Sequence, residues 1–264
     1  MRVGARLGIG FNVNMDSRSA ERPEPGYRNR VHDEAVRVLG DVQVDVSRTP
    51  GRLIVLEGTD GVGRSTHIAL LREWLETEGY GVLHTGLSRS RLAGDGLRKA
   101  KLGTTVSQRT LDLFYATDFA DRIENDILPA LRAGFVVLTD RYFYSIMARS
   151  IVRGIDRDWL RDLYRFAPAP HGVLYLRVSV DQLIPRVVTR GPFDYWESGM
   201  DFQEETELFR SFRRYQSRLL SVFEELAKTY GFQMIDANRD IADVFADLKE
   251  AVRSLLPSRP GVAS

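Results

Sequence analysis

The stretch Arg52-Leu-Ile-Val-Leu-Glu-Gly-Thr-Asp-Gly-Val-Gly-Arg-Ser-Thr66 decides the fold. An unbroken apolar run ends in three closely spaced glycines, and a helix-like pattern begins directly after them. The spacing is that of a phosphate-binding loop, G-x-x-x-x-G-K-[ST], with Arg64 where the pattern has Lys. Glycines serve such a loop because backbone N–H groups converge on phosphate oxygens only where no Cβ stands in the way. The helix that follows presents its positive N-terminal end to the same anion. The bland alternative is an ordinary tight turn between a strand and a helix.

Outward from this loop, strand and helix signals alternate. Short, nearly unbroken apolar runs at Leu53–Glu57, Gly81–Thr85, Phe135–Asp140, Val173–Val178 and Phe232–Asp236 predict parallel strands buried on both faces. Ser65–Glu78 places Ile68, Leu71 and Leu75 on one helical face and stops at Gly79. Further helices are predicted over Ser107–Ala133, Asp156–Phe166, Val180–Thr189, Phe202–Tyr230 and Ile241–Leu256. Such alternation predicts a doubly wound α/β sheet with helices on both faces. Ligands of these sheets sit beyond the carboxyl ends of the strands, here just after Glu57, Thr85, Asp140 and Val178.

The chain of 264 residues is 43% hydrophobic and 28% charged, with a formal net charge of +1. That balance fits a globular protein and gives no global field toward nucleic acid or a membrane. The absence of cysteine excludes disulfides, zinc–thiolate sites and cysteine nucleophiles. No apolar run approaches the roughly 20 residues of a membrane span, so a cytoplasmic enzyme is the expectation. Residues 1–50 read as a separate N-terminal extension, with 16–30 polar and disordered and a short helix over Asp33–Leu39. Met15 is an alternative start of translation. Residues 51–256 form the expected domain, and Pro257–Ser264 a loose tail.

A second motif lies at the end of the third strand, Phe-Val-Val-Leu-Thr-Asp-Arg-Tyr over residues 135–142. Asp140 stands where an acid would hold Mg²⁺ directly or through water, and Arg141 beside it suits a phosphate clamp. A surface ion pair at a strand end is the bland reading. With EGTDGVGRST at 57–66, LFYATDFADRIENDILPAL at 113–131, DRYFYS at 140–145 and RVVTRG at 186–191, residues 52–254 resemble the thymidylate kinases among the nucleoside monophosphate kinases. The resemblance implies a P-loop NTPase fold with a five-stranded parallel sheet of order 2-3-1-4-5. It implies transfer of the ATP γ-phosphate to a nucleoside monophosphate, dTMP first, with Mg²⁺, and often a homodimer.

Position by position, Gly58, Thr59, Asp60, Gly61, Val62, Gly63, Arg64, Ser65 and Thr66 match the ATP phosphate loop, and Ser65 matches the hydroxyl that helps Asp140 hold Mg²⁺. Asp60 matches an acid that meets the acceptor's sugar, and Arg141 the arginine that grips its phosphate. Tyr115 falls where the family stacks a Phe on the base, although it also shares an apolar helix face with Leu111 and Phe119. Arg186 and Arg190 match a basic lid, or else form a solvated face at i,i+4 spacing. His84 and His171 have no partner motif and read as structural.

Three departures bear on specificity. Arg64 keeps the charge of the usual Lys, but its planar fork is not equivalent. The family arginine that reads the base edge aligns with Phe119, leaving Arg122, three residues on along the same face, as the nearest substitute. The family's Arg-Glu-Pro-Gly-Gly-Thr segment is replaced by Gly86–Arg91, which leaves Arg89 or Arg91 as candidates for the phosphate contact from a shifted loop. Residues 192–201, three aromatics and acids around Gly199, are a candidate cap for the acceptor pocket. Alternatives to a dTMP kinase are a kinase of the same fold with another nucleotide or a nucleoside as acceptor, and a nucleotide-binding protein without catalysis.

Overall fold

The computed structural model describes residues 45–103, 106–190, 198–203 and 207–257, with the side chains of 102 and 190 left aside. The expected extension over 1–50 lies outside this range up to residue 44, as does the tail from 258. Residues 45–50 lie against the domain, and Val46 is buried in its core.

Five strands form one parallel sheet: β1 Arg52–Glu57, β2 Val82–Gly86, β3 Val136–Asp140, β4 Gly172–Arg177 and β5 Gln233–Asp236, in the order β2-β3-β1-β4-β5. This is the expected order 2-3-1-4-5. The central strands are buried on both faces, whereas the edge strand β5 buries only Ile235, contrary to the expectation of full burial. Leu53 and Val55 of β1 enter one core cluster while Ile54 and Leu56 enter the other, so the pleat feeds two helical layers. One layer holds α1 Arg64–Thr77, α7 Val180–Arg190 and α9 Ile241–Leu255. The other holds α3 Gln108–Arg122, α5 Phe143–Val152, α6 Arg157–Leu163 and α8 Leu208–Tyr230. Register pairs Leu56 and Gly86 with Asp140 and sets the ends of β1, β2 and β3 side by side.

Two helices escape the sequence reading. The first, α2 Gly94–Gly103, carries three glycines, which disfavour a helix. The second, α5, is buried nearly all round. The helix expected from Ser107 is capped by the Ser107 hydroxyl, which accepts from the Thr110 N–H. It runs on through a π-helical stretch, Ile123–Ile127, into α4 Leu128–Arg132. Pro129 follows this stretch, and its missing N–H and its ring account for the widened turn. The helix expected from Phe202 starts instead at Leu208. Phe202 and Gln203 donate their N–H groups to Gly199 O in a turn, and Gly199 sits at φ +71°, with its missing Cβ 2.8 Å from that of Tyr215. His171 is structural, as expected: its Nδ1 accepts the Leu53 N–H at 3.0 Å. Among the described residues no helix is long and apolar enough to cross a membrane.

Candidate active site

The loop between β1 and α1 winds through three positive φ angles, +148° at Gly58, +83° at Gly61 and +103° at Gly63. A Cβ at Gly61 would stand 2.6 Å from Val187 on α7, so the glycine also lets the lid helix pack on the loop. Val62 turns its side chain into the core and offers the loop only its backbone. The α1 helix has Gly63 as its N-cap, without a side-chain cap and with no acid in the first turn. Its first amides are therefore not consumed by a capping side chain, and with the exposed Ser65 and Thr66 hydroxyls they face a cleft. Arg141, Arg186 and Thr189 close the cleft from the other side. Arg190 ends the backbone of α7, and its side chain is outside the described residues.

Arg64 is not extended into the cleft. Its Nε donates to Asp140 Oδ1 at 2.8 Å, its Nη1 bonds the Gly58 and Thr59 carbonyls, and Nη2 lies 3.4 Å from Asp60 Oδ1. Only 6% of its surface remains exposed. The planar fork thus ties both ends of the loop to the metal-side acid, which a single ammonium could not do in the same geometry. Ser65 Oγ lies 3.4 Å from Asp140 Oδ2. This hydroxyl–carboxylate pair at a helix N-terminus fits Mg²⁺, which binds through one or two protein oxygens and takes the rest from phosphates and water.

Asp60 joins the two halves of the site. Besides Arg64 it receives the Nη2 groups of Arg141 and Arg149. Arg141 adopts φ +69°, rare for a residue with a Cβ, and its N–H bonds Leu56 O. That backbone turn at the end of β3 directs its side chain back across β1 toward Asp60. Three guanidinium groups therefore face two carboxylates, Asp60 and Asp140, and an excess positive charge suits polyanionic ligands. Behind them Glu57 is fully buried and accepts the Tyr142 N–H at 2.8 Å and the Ser145 hydroxyl at 2.6 Å, anchoring the start of α5 to β1. Burial pushes its carboxyl pKa up.

Beyond Asp60 opens a second pocket, lined by Tyr115 and Leu111 of α3, Leu87 after β2, and Ile146, Arg149, Ser150 and Arg153 of α5. Tyr115 therefore stands at a pocket wall while contributing to the core. Arg153 is held by Asp201 at 2.7 and 3.0 Å and by the Tyr215 hydroxyl at 3.0 Å. Asp201 is the described end of the segment read as a cap; its residues 192–197 lie outside the described range.

The expected base readers do not reach this pocket. Phe119 has no exposure and meets Tyr142 edge-on at 4.6 Å among Phe143, Tyr164 and Phe166. Arg122 is also fully enclosed and donates to Asp118 at 3.1 Å. Asp118 in turn accepts the N–H groups of Ser88 and Ser90. The correction is physical: Arg122 shares a face with Phe119, but that face looks into the core, and it braces the loop that bears the exposed Arg89 and Arg91. Within that loop Arg89 folds back. Its Nε lies 3.5 Å from where a Cβ of Gly86 would be, in ordinary contact, while the Asp140 carbonyl at 2.9 Å is what leaves no room for a side chain at 86.

With this geometry in place, sequence comparison becomes decisive. The thymidylate kinase family model matches residues 56–248. The chain belongs to the thymidylate kinase family. It is 38% identical over 202 residues to the probable thymidylate kinase 2 of Saccharolobus solfataricus, covering 76% of this chain and 94% of the relative. It is 34% identical to the probable thymidylate kinase of Pyrococcus horikoshii, covering 77% and 96%, and 30% identical to the thymidylate kinase of Desulfotalea psychrophila, covering 80% and 98%. The fold of this family is that of the P-loop NTPases, and the five-stranded order above conforms to it.

Arg149, Arg153, Gln108 and Ser150 had not been singled out in the sequence. Gln108 opens α3, Arg149 and Ser150 sit on α5, and Arg153 caps its end. The available hint was position, because α5 begins three residues after Asp140.

Proposed function

We propose that this protein is an ATP-dependent thymidylate kinase, catalysing dTMP + ATP → dTDP + ADP. The observation that carries the reading is Asp60. One carboxylate ties Arg64 of the phosphate loop and Arg141 of the same cleft to Arg149 of the second pocket, which supports a donor cradle and an anionic acceptor side by side. The cleft over Gly61, Gly63 and Ser65 takes the ATP phosphates. The groove continuing past Arg186 to Ala237, Asp240 and Val244 takes the adenosine. The pocket under Tyr115 takes the thymine.

In this arrangement Arg141, with help from Arg89 or Arg91, grips the acceptor phosphate and aims one of its oxygens at the γ-phosphorus. A bond forms from that oxygen to phosphorus, the bond to the β,γ-bridging oxygen breaks, and ADP leaves. The charge spread over the transferring group is met by Arg64, Arg186 and Arg190 and by the α1 amides. Ser65 and Asp140 hold Mg²⁺, which neutralises charge on the ATP phosphates. Asp60 takes the sugar hydroxyl of the acceptor, exchanging part of its guanidinium pairing for it. Tyr115 stacks on the base. A homodimer remains an expectation of the family.

A second reading, a nucleotide-binding protein without catalysis, draws on the inward fold of Arg64. ADP formation from Mg²⁺–ATP across a panel of nucleosides and nucleoside monophosphates separates the two. Turnover strongest with dTMP is expected. ATP binding without turnover on any acceptor would overturn the kinase reading, and turnover strongest with a nucleoside would move the acceptor.

A further inference from the structure

One end of the acceptor pocket is finished by a polar cluster that no motif announces. Gln108 and Ser150 line the pocket, and behind them lies Asp112, without exposure. Asp112 Oδ1 accepts the Ser150 hydroxyl at 2.6 Å and Gln108 Nε2 at 2.9 Å, and Nε2 also lies 3.3 Å from Ser150 Oγ. The two pocket-facing side chains thus share one buried anchor.

We propose that Gln108 and Ser150 read the base of the acceptor and that Asp112 is the positioning residue that sets them; this rests on the thymidylate kinase reading. A carboxylate only accepts hydrogen bonds. It therefore turns the amide nitrogen of Gln108 inward, so that the Gln108 oxygen is the acceptor left toward the pocket, and it takes the proton of the fully buried Ser150, whose oxygen accepts from Gln108 Nε2 at the pocket wall. Arg149 supplies N–H donors on the same wall. An acceptor beside a donor matches a ring edge with N–H beside a carbonyl, the N3–H of thymine or uracil beside O4. Cytosine offers a lone pair at N3 and meets the Gln108 oxygen lone pair to lone pair. A buried polar pair left unmatched in this way is the strong form of discrimination. The cluster fills the role that Phe119 vacates and Arg122 cannot reach.

The test is steady-state kinetics and dTMP titration calorimetry on the full chain, with dTMP, dUMP, dCMP and N3-methyl-dTMP. Wild type is expected to prefer dTMP and dUMP over dCMP by at least about 10²-fold in kcat/KM. Gln108→Ala and Ser150→Ala are each expected to raise the dTMP KM and Kd by about 3–10-fold, the worth of one neutral hydrogen bond, with kcat within about threefold and the ATP KM unchanged. Both should shrink the penalty for N3-methylation by a similar factor. Asp112→Asn keeps the shape and one acceptor oxygen, but a neutral amide holds Gln108 and Ser150 more weakly than a carboxylate, so it should raise the dTMP KM without lowering Tm. An unchanged dTMP KM in Gln108→Ala, with the N3-methyl penalty intact, overturns the inference while leaving the kinase reading standing. No pyrimidine monophosphate bound or turned over by wild type overturns the kinase reading, and the inference with it.

Discussion

The donor cradle and the acceptor pocket share the carboxyl edge of one sheet, but they are made of different material. The cradle is nine consecutive residues, Gly58 to Thr66, working through backbone amides, three positive-φ glycines and a helix end. The pocket is side chains from the loop after β2, from α2, from α3 and from α5 and its cap, spread over residues 87 to 153 and joined only by folding. A site of the first kind is written locally, because each glycine answers a local backbone need. A site of the second kind is visible only once helices are docked, and its polar atoms are chosen by one another rather than by their neighbours in sequence.

The largest expected effect lies where the two regions touch the donor. Arg64→Ala removes a cation from the phosphates and leaves Asp140 and two loop carbonyls short of a partner. A fall in kcat of about 10²-fold or more is expected, with a smaller change in nucleotide affinity. Arg64→Lys should keep activity or raise it, because a point charge on a flexible stem leaves the carbonyls more readily to follow the phosphates. Unchanged turnover in Arg64→Ala would detach the loop from the chemistry.

Next comes the acceptor side. Arg141→Ala should raise the dTMP KM and lower kcat together, with kcat/KM down by about 10–10²-fold, since a clamp both binds and orients. Arg141→Gly separates side chain from backbone. Glycine accepts φ +69° without strain, so this variant should lose as much activity as Arg141→Ala yet be the more stable of the two in thermal melts. Equal activity of both variants and wild type would place the acceptor phosphate elsewhere.

The strands, the phosphate loop and Asp140 were legible because short apolar runs, glycine spacing and a strand-end acid carry their own geometry, and the sheet order came with the family resemblance. The helices α2 and α5 were not. One holds three glycines, which disfavour a helix, and the other is buried nearly all round and directly follows the strand-end motif. Missing α5 hid Arg149, Ser150 and Arg153 together, and without them Arg122 was the only cation near the aligned position. Its spacing from Phe119 was read correctly as a shared face. What sequence spacing could not say was that the face points inward, against Tyr142 and Tyr164.

The smallest expected effect tests whether the acceptor pocket keeps its polarity at a cost to stability. Burial raises the Asp112 pKa from 3.8 to about 6, against the pull of the Ser150 and Gln108 hydrogen bonds and of Arg153. The folded protein therefore binds this proton more tightly than the unfolded chain does. Asp112 contributes stability while protonated and loses it as pH rises from about 4 through about 6, after which its share is flat. Buried Glu57, also raised, slopes in the same sense. Asp112→Asn deletes the Asp112 share alone, so the difference in Tm between wild type and variant should grow across the window and level off above it. At pH 7.5 the variant should be more stable by about 1 kcal/mol, a rise of roughly 2–4 °C, because part of the ionisation penalty is offset by the weaker hydrogen bonds of an amide. The same variant should bind dTMP less well. Lower stability at pH 7.5, or a Tm difference independent of pH, would mean that Asp112 is not held ionised against its burial, and the account of how Gln108 and Ser150 are oriented would lose its anchor.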